Sequence, residues 1–164
     1  MTIALRLTSP ISHRIVSGDS LDTLTDIYRN DINMAVWQRH LSPALLSESL
    51  AVLAIEGFTG YRIVLPEAKL NDLQEMLPEL ADFPHLRSDI QLLAEMFCYL
   101  FEMGAVGLRL TPLTTAMCPK FHVDRVPCRL ITSYCGTGTH WLPHHAVNRD
   151  KLGAASDGLS DAES

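Results

Sequence analysis

"SDIQLLAEMFCYLFEMG", Ser88 to Gly104, carries the strongest helical pattern in the chain, and the residues on either side of it follow different rules. Ile90, Leu93, Ala94, Phe97, Leu100 and Phe101 recur at three- and four-residue steps, which places them on one stripe of a helix. Leu92, Met96 and Met103 widen that stripe and predict burial over more than half the girth. Ser88 and Gln91 have the spacing of a capping box, so the helix is expected to start there, and Gly104 is placed to end it in a left-handed cap. Cys98 reads as a small packed apolar residue.

Before this helix the pattern alternates between helix and strand. Leu21, Leu24 and Ile27 have helical spacing within "SGDSLDTLTDIYRND", and "INMAVWQR" (Ile32 to Arg39) alternates like a strand. Ser42-Pro43 is a helix start, with Leu46, Leu50 and Leu53 following on one face and Gly57 as the stop. "YRIVL" (Tyr61 to Leu65) reads as a strand, and Leu70, Leu73 and Leu77 mark a second helix from about Glu67 to Leu77. Beyond Gly104 the reading is of strands: "AVGLRLTPL", "KFHVDRV" and "CRLITSYC", each bounded by Pro or Gly, with "GTGT" (Gly136 to Thr139) as a turn. The expectation is an α+β fold, a helical N-terminal part followed by short antiparallel strands. A single domain is expected over residues 1–149. Residues 150–164, "DKLGAASDGLSDAES", are too small and acidic to offset chain entropy and read as a disordered tail.

Thirteen basic and nineteen acidic residues give a net charge of −6 without a basic run, so bulk electrostatics favours neither nucleic acid nor an anionic membrane as partner. "MTIALRLTSPIS" is too interrupted for a signal-peptide core, and no apolar stretch reaches membrane-spanning length. A cytoplasmic protein is therefore expected. Cys98, Cys118, Cys128 and Cys135 show no C-x-x-C spacing, so neither a zinc ribbon nor a redox dithiol is indicated.

The chemistry is concentrated in Met117 to His145, which holds three of the four cysteines and four of the seven histidines. On a strand His122 and Asp124 point the same way, and an imidazole beside a carboxylate suits a divalent metal such as iron or zinc. The same pair also suits a plain hydrogen-bonded couple. His140, beyond the turn, is the candidate third metal ligand if a hairpin returns it to the sheet, whereas His144 and His145 follow Pro143 and are expected at a strand end. Arg129, Ile131 and Ser133 share one face of their strand, and Leu130, Thr132 and Tyr134 the other. In an oxygenase-like site Arg129 or Tyr134 could grip a dicarboxylate co-substrate; otherwise Arg129 belongs in a surface ion pair and Tyr134 in the core. Trp37 and Trp141 are expected in the core.

Cys118, Pro119, Phe121, His122 and Asp124, then Arg129, Leu130 and Tyr134, then Gly136, Gly138, Thr139, Trp141 and Leu142 resemble the signature of an uncharacterised bacterial family, domain of unknown function 1826. Ser133 stands where that pattern has Thr, and "INMAVWQR" and "VGLRL" also resemble it. The motif is similar to that of iron- and 2-oxoglutarate-dependent oxygenases, which place His-x-Asp on a strand of a double-stranded β-helix and a second His on a late strand. The resemblance implies an incomplete fold of that kind, with Fe(II) or Zn(II) as metal and 2-oxoglutarate as co-substrate. Related chains carry a distal "His-Arg-Ser-Pro"-like segment, and this one stops at Ser164, which reads as a truncated copy inactive through loss of that ligand. The alternative is a non-catalytic zinc-binding or metal-homeostasis protein, with a link to metallochaperone GTPases by family association. No small-molecule substrate is specified.

Overall fold

The computed structural model describes residues 13–160 apart from 119, 125 and 158. The reading of the first twelve residues as unsuited to a leader, the role of Pro119 in the motif and the last residues of the expected tail lie outside the described residues. Contacts group the chain into two compact units, residues 40–140 and residues 1–39 with 141–164.

In the 40–140 unit, Ser42 caps the first helix, α1 (Pro43–Leu53), its side chain accepting from the Leu45 N–H, with proline in the first turn as expected. The buried face differs from the expected one. Leu45, Ser49 and Val52 are buried, whereas Leu46, Leu50 and Leu53 are exposed. Apolar residues occupy both faces of α1, and Glu48 decides between them: its Oε2 accepts from the Leu86 N–H at 2.8 Å, which turns the stripe holding Leu45, Glu48, Ser49 and Val52 inward. Strand β3 (Tyr61–Pro66) follows, then a 3-10 turn (Glu67–Asp72) running into the short helix α2 (Leu73–Met76), so the helix expected from about Glu67 to Leu77 is a broken one.

The long helix, α3 (Pro84–Phe101), starts a turn before the expected capping box. Proline occupies its first turn, and the carboxylate of Glu48 reaches across from α1 to satisfy Leu86, a favourable charge at a helix N-terminus. Ser88 is therefore interior, and Gln91 bonds Asn71 and Glu95 instead. Ile90, Leu93, Ala94 and Cys98 are buried, but Leu92 and Met103 are 42% and 44% exposed, so the stripe is narrower than expected. The left-handed cap falls on Glu102 (φ 50°, ψ 45°) and not on Gly104, whose carbonyl accepts from the Glu67 N–H at 2.8 Å. A left-handed conformation costs a non-glycine residue about 1–2 kcal/mol, and the greater freedom of an unfolded glycine returns only part of that. Glu102→Gly is expected to stabilise the protein by about 0.5–1 kcal/mol, read as a higher urea midpoint at unchanged slope.

Strand β4 (Ala105–Leu110) pairs antiparallel with β3, Tyr61 opposite Leu110 through Pro66 opposite Ala105. Leu65 and its partner Val106 face a core with Leu70, Leu73, Leu77 and Leu80. Tyr61 is tied down by the Glu79 N–H, which donates to its hydroxyl at 3.0 Å.

In the other unit, strands β1 (Arg14–Gly18) and β2 (Ile32–Trp37) pair in parallel, the connection between them holding a 3-10 helix (Leu21–Tyr28). Asp31 bonds the guanidinium groups of Arg14 and Arg29, and its hydrogen bond with Arg14 is the largest influence holding its carboxyl below the usual carboxylate range. Trp37 donates its indole N–H to the Asp19 carbonyl at 3.1 Å, and Trp141 is 47% exposed, not a core residue. At the start of the stretch read as a tail, Arg149–Lys151 forms a 3-10 turn, Gly153–Ser156 forms another within it, and Ser156 is buried.

The chain is α+β, with two two-stranded sheets and no closed barrel among the described residues. Beyond Leu110 no described residue lies in a strand, so the strands expected in "KFHVDRV" and "CRLITSYC" are not formed among the described residues. Prolines at 119, 127 and 143 remove donors that a ladder through this region would need.

Candidate functional site

The segment from Arg129 to Tyr134 keeps the side-chain alternation of a strand without lying in one. Leu130, Thr132 and Tyr134 are half-buried, and Arg129, Ile131 and Ser133 are exposed, as the period of two requires. Tyr134 packs against the core of the 40–140 unit, away from the exposed face that carries Arg129.

His122 and Asp124 are brought together. The ring Nε2 lies 3.4 Å from Asp124 Oδ1, with both side chains about one-third exposed, at 38% and 34%. On the other side of the imidazole, Nδ1 lies 3.0 Å from the Lys120 carbonyl oxygen. A carbonyl only accepts, so Nδ1 carries the proton and donates. In the neutral ring Nε2 therefore turns a lone pair toward a carboxylate oxygen. Two acceptors so placed repel each other unless a cation, a proton or a metal ion, lies between them. The second carboxylate oxygen, Oδ2, is 3.0 Å from Arg129 Nη1. Arg129 is thus engaged with Asp124 and fixes the carboxylate so that Oδ1 faces the imidazole.

The remaining candidates are dispersed. His140 is exposed, and no group of three His, Cys, Asp or Glu side chains able to hold a metal ion occurs among the described residues. Cys98 is buried within α3, and Cys118 is exposed. Cys128 is half-buried, and burial pushes its thiol above the ordinary range, which works against a thiolate ligand at neutral pH. His144 and His145 sit on a 3-10 turn in the other unit, not at a strand end. His144 Nδ1 is 2.9 Å from Arg149 Nη2, and since arginine only donates, that nitrogen accepts. Desolvation first, then the charges of Arg149, His13 and His145, lower the pKa of His144.

Sequence reasoning named His122 and Asp124, and the surface ion pair it offered as one reading of Arg129 is the arrangement found, but it identified neither Asp124 as the partner nor the Lys120 carbonyl. The Lys120 carbonyl carries no sequence signal. The Arg129–Asp124 pair joins residues five apart, a spacing that no helix or strand rule singles out.

No helix among the described residues is long and apolar enough to cross a membrane. No curated protein and no solved structure matches the chain. The family profile described as protein of unknown function DUF1826 matches residues 18–164. That span takes in β2, the β3–β4 sheet, the long helix and the His122–Asp124 segment, and the chain belongs to the DUF1826 family.

Proposed function

We propose that His122 and Asp124 are the protein half of a divalent-metal site. The reading is carried by the Nε2 to Oδ1 approach of 3.4 Å, with Nδ1 held by the Lys120 carbonyl. Metal-binding histidines are commonly oriented by such a carbonyl, and ligating carboxylates by a further hydrogen bond, here from Arg129. One imidazole and one carboxylate fit two positions of a coordination sphere and suit Fe(II), Mn(II) or Zn(II). The other positions fall to water, to a co-substrate or to His140 if it swings in. Bound there, the ion would act as a Lewis acid toward an oxygen ligand. The protein's residues hold and orient it: His122 through its fixed tautomer, Asp124 through the oxygen that Arg129 leaves clear.

Two uses of such a site are distinguishable. An oxygenase-like protein takes 2-oxoglutarate as a further ligand, and a metal-homeostasis protein takes none. The expected result is stoichiometric metal in protein purified without chelators. Asp124→Ala and His122→Ala should each weaken binding by about tenfold or more, by analogy with the cost of disturbing even outer ligands. Tightening of Fe(II) binding by 2-oxoglutarate would favour the oxygenase-like use; zinc bound with no effect of 2-oxoglutarate would favour the other. Metal content unchanged by both substitutions, or absent in the native protein, would remove the proposal.

A further inference from the structure

The exposed face of the β3–β4 pair carries a feature that the His122–Asp124 site does not use. Arg62 and Arg109 are directly opposite each other in the antiparallel register. Opposed side chains of such a pair leave the same face with their Cβ atoms about 5 Å apart, and like charges so placed destabilise a sheet. Neither guanidinium has an ion-pair partner among the described residues. The repulsion between the two guanidinium groups is relieved by an anion lying between them. A cavity of about 280 Å³ opens beside them, lined by residues 59–62 and 109–111. Arg109 Nε lies 3.3 Å from Thr111 Oγ1, so that hydroxyl accepts from the arginine and keeps its own proton to donate, while the two Nη groups of Arg109 stay available. Thr59 brings a second hydroxyl to the lining.

We propose that this cavity binds a phosphate group, either as free phosphate or as the terminal group of a phosphorylated small molecule. A carboxylate is planar, singly charged and satisfied by one guanidinium, which would leave the second arginine uncompensated. A phosphate dianion matches the two positive charges, and its tetrahedrally placed oxygens can accept from two forks and from threonine hydroxyls at once. Because the cavity is shallow and exposed, binding is electrostatic and weakens with salt.

The test titrates inorganic phosphate into the full-length chain at low ionic strength, with sodium chloride at matched ionic strength as the control. Saturable binding by phosphate and not by chloride is expected, with Arg62→Gln and Arg109→Gln each weakening it by about tenfold or more. Both substitutions remove a like-charge neighbour, so the apo variants should melt no lower than the native protein. In the unsubstituted chain, phosphate should shift the amide resonances of residues 59–62 and 109–111, which locates the ion without any variant. A phosphorylated small molecule binding more tightly than phosphate at the same amides would identify the larger ligand class, and phosphate binding equally well would identify the free ion. An equal response to chloride, unchanged affinity in both variants, or resonance shifts confined elsewhere would overturn the proposal. None of these readouts involves a divalent metal, so the outcome is independent of His122 and Asp124.

Discussion

Leu65→Ala is expected to destabilise the 40–140 unit by about 3–4 kcal/mol, at the upper part of the range for buried leucines. Leu65 is 0% exposed, and its neighbours in the core, Leu77 and Leu80, are at 0% as well. Two things keep the vacated space from closing. The backbone at Leu65 is held in register with Val106 by the β3–β4 ladder, and Leu70 and Leu73 are themselves fully buried. A cavity that cannot collapse loses dispersion contacts on every wall in addition to the transfer free energy of the deleted atoms. Against a typical total of about 5–15 kcal/mol, that is a large fraction of the stability of a domain. The internal control is the preceding residue: Val64 is 66% exposed on the same strand, and Val64→Ala should change stability by no more than about 0.5 kcal/mol. Urea unfolding followed by circular dichroism is the appropriate measurement, because α1 and α3 lie in this unit while Trp37 and Trp141 lie in the other. Equal losses for the two substitutions would contradict the assignment of the buried face.

The residues that were legible in the sequence are those whose structure is set by their neighbours in the chain. Ser42-Pro43 starts α1, the stripe from Ile90 to Phe101 is buried at Ile90, Leu93 and Ala94 and half-buried at Phe97, Leu100 and Phe101, and Ile32–Trp37, Tyr61–Pro66 and Ala105–Leu110 are strands because local spacing and cap chemistry suffice to specify them. Two of the misreadings share one cause. The rotation of α1 and the start of α3 both depend on Glu48 meeting Leu86, a contact between residues 38 apart, and a capping box at Ser88 was the best local substitute for it. Likewise, Arg62 and Arg109 look like unremarkable surface residues until the register sets them opposite each other. At the candidate metal site, the two-residue spacing brings the His122 ring and the Asp124 carboxylate within 3.4 Å although neither residue lies in a strand. The expected ladder around it did not form, because strand pairing needs a partner with free donors, and that is not a property of the segment itself.

Gly60→Ala is expected to cost about 2–5 kcal/mol, whereas Gly57→Ala, three residues earlier, should cost only about 1–2 kcal/mol. Both glycines have positive φ, +86° at Gly60 and +77° at Gly57, so an alanine at either pays the torsional penalty of about 1–2 kcal/mol. Only Gly60 also pays a steric one. A Cβ there would overlap the Leu110 carbonyl oxygen and come within 3.1 Å of Pro112 Cδ, whereas at Gly57 nothing lies within 4 Å. The obstacle at Gly60 is backbone at the end of a paired strand, so relief requires moving β4 away from β3, and overpacking of this kind typically adds about 1–3 kcal/mol. The difference between the two variants therefore isolates the close approach of the turn to the strand from the conformational preference they share. Thermal and urea midpoints of the pair supply the measurement, with the larger loss falling on Gly60→Ala. Matching losses would mean that the turn at Gly60 can retreat from Leu110 without disturbing the ladder, and that the entry into β3 is held by backbone torsion alone.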